Sequence, residues 1–385
     1  MIKFALRNNL KYPLELLIFN VIRDTESQLI DYFFNFDSLI YMSLMFLGEF
    51  FFGLIIYLYQ TSFLNKNKGR KSIRYKSITL ITNKGNLAKD SKTKIIFLVF
   101  IAGFFDFVQF MISLYTPKFL YISGSLESRL GGFLTVFDAL FYYYVLKLPI
   151  ARHQYFSLII IGICLILVII TEFIFQKFNI FLTYGLFALV FLLTFVVQFC
   201  SAMVDSIEKY LFEYNHLNSF LCLLLEGLFG FILSFIHGLF NNPLDDIKIF
   251  KQNNSTSDFS ILILLLILYL ILSGLKNSFR VTTTKVYSPM TTTFLDYILN
   301  PFYMIYHFSF GDDFLSNEYR NYAYFSINLI ISIIISFFGF VFNEFIILFC
   351  CKLEKDTHQQ IVKRSMVEEE ILKLYEIDME EDTQT

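Results

Sequence analysis

Runs of roughly twenty apolar residues recur along the chain, each long enough to cross the hydrocarbon core of a bilayer as a helix. They fall at about 38–59, 94–115, 121–147, 154–172, 180–205, 219–240, 259–276, 289–309 and 322–349. A crossing backbone must satisfy its own hydrogen bonds, so stretches of this length are helices. Composition then closes the alternatives. The 385 residues are 56% hydrophobic and 17% charged, against roughly 25% charged in soluble domains. One or two soluble cores could not hide that much apolar surface. A soluble enzyme, a secreted disulfide scaffold and a disordered chain are excluded. The sequence describes an all-α multi-pass membrane protein with about nine spans.

The chain has 50 Phe and no Trp, so Tyr and Phe must supply the aromatic belts at the interfaces. Its five Cys (Cys164, Cys200, Cys222, Cys350, Cys351) lie in or beside apolar runs without metal-type spacing. They are expected to be small core residues, with Cys350 and Cys351 at the end of the last span. Residues 1–37 carry nine charges and no long apolar run. They are expected to form a lumenal or interfacial segment, with at most an amphipathic helix around 3–21, and not a signal peptide.

Orientation follows from Lys and Arg between the spans. Loop 61–94 holds ten of them against one acid, Asp90. Alternate connections add Lys147 and Arg152, then Lys209, then Lys276, Arg280 and Lys285, then the tail, for 21 on one side against nine on the other. The richer side is expected to be cytosolic, together with the tail 351–385. Asn253-Asn254-Ser255-Thr256 then places two overlapping glycosylation acceptors in the lumen. Loop 61–94 reads as a topological anchor, with anionic lipid headgroups as its alternative partner.

Ionisable residues inside spans are costly, and each is a candidate functional residue. Asp106, Gln109 and Ser113 share one helix face at i, i+3, i+7. Ser125, Arg129, Gly132, Thr135 and Asp138 do the same on the next span. Gln198, Ser201, Asp205 and Glu208 form a third stripe, the last two approaching the cytosolic interface, and Thr292, Asp296 and Asn300 a fourth. Glu49 and Glu226 are single acids. Stripes facing inward from different helices would enclose a polar cavity, although interhelical hydrogen bonding alone explains any one Ser, Thr or Gln. Arg129, the one basic residue well inside an expected span, requires an anion: Glu127, Asp138, an acid of another span, or a substrate phosphate or carboxylate.

Several strings occur in an informative order: FLGEF (Phe46 to Phe50), SGSLESRLGG (Ser123 to Gly132), Glu208-Lys209 followed by Asn215, EGLFGF (Glu226 to Phe231), and TTTK with a later LD (Thr282 to Asp296). Together they resemble the drug/metabolite transporter superfamily, in its solute-carrier-35-like branch near the F subfamily, over roughly residues 38–350. The resemblance implies a helix bundle of two five-helix repeats in inverted topology, here 38–174 and 175–350, with substrate bound near the midplane. FLGEF belongs to the family's second helix, so its first has no clear counterpart, and 1–37 is expected to be a degenerate replacement or a truncated remnant. Thr292 and Leu299 stand where related sequences tend to carry Arg, which leaves Arg129 and Lys285 as cationic contacts.

The resemblance implies a secondary carrier of a small polar or anionic organic solute, nucleotide-sugar-like or a related metabolite, working by alternating access. Glu49, Asp106, Gln109, Arg129, Asp138, Gln198, Glu226, Lys285, Asp296 and Asn300 are its expected substrate contacts. Expected partners are that solute, the bilayer and a coupling ion or exchanged solute; a homodimer stays open, and no nucleic acid or cofactor is expected. An endomembrane setting (Golgi, endoplasmic reticulum or lysosome-like) is expected. The alternative is a transport-inactive scaffold or receptor on the same fold. An intramembrane enzyme is disfavoured by five dispersed His with no HExxH pair, and a channel by the lack of a repeated filter string.

Overall fold

The computed structural model describes residues 2–4, 11–34, 40–66, 91–120, 130, 132–147, 150–175, 184–241, 243–299, 301–302, 305, 322–348 and 357. Eleven helices stand among the described residues. They are α1 (Lys11–Phe34), α2 (Ile40–Lys66), α3 (Lys92–Leu120), α4 (Gly132–Tyr144), α5 (Arg152–Phe175) and α6 (Tyr184–Glu213), followed by α7 (Ser219–Asn241), α8 (Pro243–Asn253), α9 (Thr256–Val286), α10 (Pro289–Tyr297) and α11 (Tyr322–Phe342). A two-stranded antiparallel ribbon joins β1 (Ile2–Phe4) to β2 (Ile346–Leu348), with Lys3 opposite Ile347.

Seven of these helices are long and apolar enough to cross a bilayer: α2, α3, α5, α6, α7, α9 and α11. The molecule is thus an all-α, multi-pass membrane bundle. Their outward faces carry large apolar side chains such as Ile55, Phe97, Ile163, Phe235 and Leu264, all exposed. On a soluble protein so continuous an apolar surface would aggregate; here it faces lipid. Two of the nine expected spans, 121–147 and 289–309, hold shorter helices, α4 and α10; α10 ends in a turn over 298–299, and much of the rest of each span lies outside the described residues. Loop 61–94 beyond Lys66 and before Ser91, and Cys350 and Cys351, also lie outside them.

The N-terminal segment differs from its expectation. A 24-residue helix runs over Lys11–Phe34 and packs along α9, where the sequence suggests at most an interfacial helix over 3–21. Its charges hide it from a hydropathy reading. Arg23 Nη2 pairs with Asp24 at 2.5 Å, while Leu16, Asn20 and Ile30 are buried and Phe19 stacks on Phe279 at 5.2 Å.

Close packing of α2 organises the centre, and glycine makes it possible. A methyl on Gly227 of α7 would sit 2.5 Å from the Phe50 nitrogen and 2.8 Å from Glu49 Cβ. Gly48 on α2 and Gly274 on α9 meet backbone to backbone in the same way. Small residues let the helix axes approach where lipid offers no competing drive to associate. The strings FLGEF and EGLFGF therefore touch each other.

The dominant helix pairs are α2 with α7 and α9, α3 with α6 and α7, α5 with α11, α1 with α9, and α4 with α6 and α10. Between α4 and α6 the contact is aromatic: Phe133, Phe137 and Phe141 interleave with Phe191, Phe195 and Phe199, each series at i, i+4, i+8. That spacing keeps all six rings on facing stripes, with Phe137 edge-on to Phe195 at 4.7 Å. α9 ends where Ser288 and Pro289 start α10. The Ser288 hydroxyl accepts the Thr291 amide at 3.3 Å, and proline takes the first helical position, where no amide hydrogen is needed.

Candidate functional site: a buried charged centre

One apolar layer collects Val99 of α3, Leu211 and Phe212 of α6, Cys222 and Leu223 of α7 and Val281 of α9. The N-terminal ends of α3 and α7 and the C-terminal ends of α6 and α9 therefore share one side of the bundle. A second layer, Tyr41, Met42, Met45 and Phe46 of α2 with Leu262, Leu266 and Tyr269 of α9, lies toward the other side. Between the layers sits a group of charged side chains from five helices.

Arg280 on α9 anchors it. Its Nη1 donates to Asp205 Oδ1 at 2.9 Å and its Nη2 to Glu208 Oε1 at 2.5 Å, both on α6. Asp205 and Glu208 are buried and Arg280 is half-buried, its guanidinium bridging the two carboxylates. Such charge-assisted pairs are the strong class of hydrogen bond. Glu226 on α7 lies within hydrogen-bond reach of Glu208, and its Oε1 accepts the Cys222 thiol at 3.4 Å. Glu49 on α2 accepts the side-chain amide of Asn277 on α9, and Asp106 on α3 accepts that of Gln109. Arg280 is in electrostatic range of Glu226 and Asp106 as well as its two partners, and Glu49 in range of Asp106 and Glu208. Five carboxyls therefore surround one guanidinium.

At about 1.5 Å per residue, Glu208 lies about 8 Å inside the end of α6, Arg280 about 9 Å inside the end of α9 and Glu226 about 10 Å inside the start of α7. Asp106 lies about 21 Å along α3 from Lys92. The polar groups thus lead from one side toward the middle of the bundle.

Of the expected contacts, the structure brings Glu49, Asp106, Gln109 and Glu226 together here. Asp138 is buried elsewhere, on α4, where its Oδ2 accepts the Thr293 hydroxyl of α10 at 2.8 Å. Gln198 sits on α6 one helical stretch before Asp205, and is buried. Lys285 is exposed at the end of α9 and does not join the centre. Arg129, Asn300 and the side chain of Asp296 lie outside the described residues.

Arg280 escapes the sequence reading of the site, and Asp205 and Glu208, read there as the interfacial end of a polar stripe, are not among its expected substrate contacts. The charge count places Arg280 in a cytosolic loop because the apolar run ends near 276. Helix α9 in fact continues to Val286, through Gly274, Ser278 and Thr282–Thr284, with nothing to break it before Ser288-Pro289. The continuous helical pattern up to that Ser-Pro pair is the signal that could have found it. Lys209 is corrected likewise. It is buried, and its ammonium donates to the carbonyls of Thr284, Lys285 and Tyr287 at 3.1, 3.4 and 3.2 Å, closing the end of α9. Three of the 21 basic residues assigned to the richer side, Lys209, Lys276 and Arg280, thus lie along helices within the bundle.

Compared with known proteins, the chain matches no family model and no curated protein sequence.

Proposed function

We propose that this protein is a secondary carrier that moves a small polar organic solute across an internal membrane by alternating access, and is not an enzyme. The observation that carries the reading is the charged centre. A bundle that buries five carboxyls around a half-buried guanidinium between apolar layers bears a large desolvation cost, and intramembrane charges mark solute and ion pathways. Interhelical hydrogen bonding needs no charge.

The helix pairing supports the same architecture as the resemblance to drug/metabolite transporters. Exchanging α1 with α6, α2 with α7, α3 with α9, α4 with α10 and α5 with α11 maps the dominant pairs onto one another. The pair α3–α6 becomes α9–α1, α3–α7 becomes α9–α2 and α4–α6 becomes α10–α1, while α2–α7, α4–α10 and α5–α11 map onto themselves. Two repeats related by such an exchange would produce this pattern, inverted repeats among them, and α1 would then stand in the place of the family's first helix. Substrate would bind where the halves face each other, between α2, α3, α7 and α9.

The centre is rich in acid, and its one guanidinium is already held by two carboxylates. A nucleotide-sugar-like anion would have to displace Asp205 and Glu208 from Arg280. A solute that presents hydrogen-bond donors or a positive group fits the surroundings better.

The test begins with purified protein and a panel of amines, nucleosides and nucleotide sugars. A solute that binds only the folded state raises the melting temperature. Hits then go to uptake into proteoliposomes. Arg280→Gln is expected to leave a folded protein with uptake reduced at least tenfold. Wild-type uptake by a well-folded Arg280→Gln protein would refute the assignment of the centre.

A further inference from the structure

Glu49 and Glu208 are 1% and 0% exposed, and the Oε2 of each finds no hydrogen-bond donor among the described residues. Buried polar atoms in native proteins nearly always have partners, so an orphaned pair in one cluster calls for an explanation. The Glu208 and Glu226 carboxyls add a second observation. Both are buried in the same cluster and repel each other there, yet an ionised carboxylate only accepts hydrogen bonds. Two carboxylates that close repel unless a proton or a shared cation lies between them, and the Arg280 Nη2 is committed to Glu208 Oε1 at 2.5 Å.

Charge balance points the same way. Glu49 on α2, Asp106 on α3, Asp205 and Glu208 on α6 and Glu226 on α7 face Arg280 of α9. Lys276, one turn earlier on α9, is shared between Asp106 and Asp24 of α1, and Asp24 is itself paired with Arg23. The neutral neighbours facing the acids are Gln109, Cys222 and Asn277. Ionised throughout, the five acids would leave several uncompensated negative charges in a water-poor interior, where like charges repel by several kcal/mol per pair. Among the described residues no set of three or more His, Cys, Asp and Glu side chains is arranged to hold a metal ion. Around Glu49 the packing is also tight, since Gly227 leaves no room there even for a methyl.

We infer that Glu49, Glu208 and Glu226 form a proton-loading site, and that the coupling ion of the proposed carrier is the proton. In the packed arrangement the site is loaded, with a proton on Glu49 and one bridging Glu208 and Glu226. When the site opens to water, each proton leaves its carboxyl oxygen for a water molecule, and only O–H bonds are made or broken. The carboxylates left behind repel across the α2–α7 contact and between Glu208 of α6 and Glu226 of α7. Those contacts tighten again only when protons, or a positively charged solute, return. This inference rests on the carrier reading for its biological meaning, but loading itself does not require transport.

Infrared spectroscopy of the purified protein in liposomes tests it without a known substrate. At neutral pH wild-type protein is expected to show the C=O stretch of protonated carboxyls, shifted in D2O. Glu226→Gln and Glu49→Gln should each lose part of that band, and Glu49→Gln/Glu226→Gln more than either alone, the remainder belonging to buried carboxyls elsewhere such as Asp138. Glutamine copies a protonated glutamate in shape, so these variants should fold. A wild-type spectrum with no such band at neutral pH overturns the inference, as does a band unchanged in the double variant. Stabilisation by sodium chloride over choline chloride without the band would put a metal cation in the protons' place, and also overturns it. Failure of every solute in the uptake panel, with the band present, would count against the carrier and leave the proton site standing.

Discussion

Lys209→Met removes an ammonium from the junction of α6, α9 and α10 while keeping most of its volume. The lysine is 3% exposed. It donates to three carbonyls that end α9, and it pairs with Glu213 one turn on at 2.9 Å. Those carbonyls have no helical amide to receive, and the ammonium also answers the negative end of the helix dipole. Removing one partner of a buried pair costs about 3–5 kcal/mol. Glu213 is partly exposed and can rehydrate, so the lower bound of about 3 kcal/mol applies. At about 2–3 °C per kcal/mol this lowers the melting temperature by about 6–9 °C. A thiol-reactive fluorogenic dye reads the transition, because Cys164, Cys200 and Cys222 are buried in the folded bundle. Glu213→Gln, which keeps the ammonium on its carbonyls, should cost under about 1 kcal/mol. If Lys209→Met melts within 2 °C of wild type (about 1 kcal/mol or less), the lysine does not close α9 and the reasoning fails.

Gly227→Ala puts a methyl against the α2 backbone at Phe50, and overpacking of this kind costs about 1–3 kcal/mol or more; the same dye assay should show a clear drop, and an unchanged melting temperature would contradict the close α2–α7 packing. Thr293→Val removes the donor to Asp138 and should destabilise by about 1–3 kcal/mol, whereas Thr293→Ser, which keeps the hydroxyl, should lose less than half as much. Expressed through a eukaryotic secretory pathway, the protein should carry glycan at Asn253 or Asn254, both exposed at the α8–α9 turn; a gel mobility indifferent to glycosidase and to Asn253→Gln/Asn254→Gln would reverse the expected orientation.

Apolar run length locates the seven long helices, because lipid imposes a single demand on every crossing segment. Single acids in such runs were informative for the same reason: Glu49, Asp106 and Glu226 stand out against their neighbours and converge in space. What stayed hidden has a common cause. Arg280 and Lys209, and the stripe acids Asp205 and Glu208 that the expected contacts omit, lie near the ends of their helices, where a charge reads equally well as a solvated loop residue. Only packing against another helix shows otherwise. Helix α1 was obscured because Arg23 and Asp24 neutralise each other locally, which a hydropathy average counts as two charges. Pairwise geometry of this sort, like the Thr293–Asp138 bond across 155 positions, has no local signature in the sequence.

Two-sided accessibility of the charged centre tests the central claim most directly. In a background with its native cysteines replaced, Gln109→Cys is placed beside Asp106 and probed with a membrane-impermeant thiol reagent added to either face of sealed, oriented vesicles. An alternating-access carrier predicts labelling from each face, with labelling at one face slowed when a bound solute biases the protein toward the other. Labelling from one face only under every condition, or from neither, would contradict the account and leave a static bundle with a structural charge network.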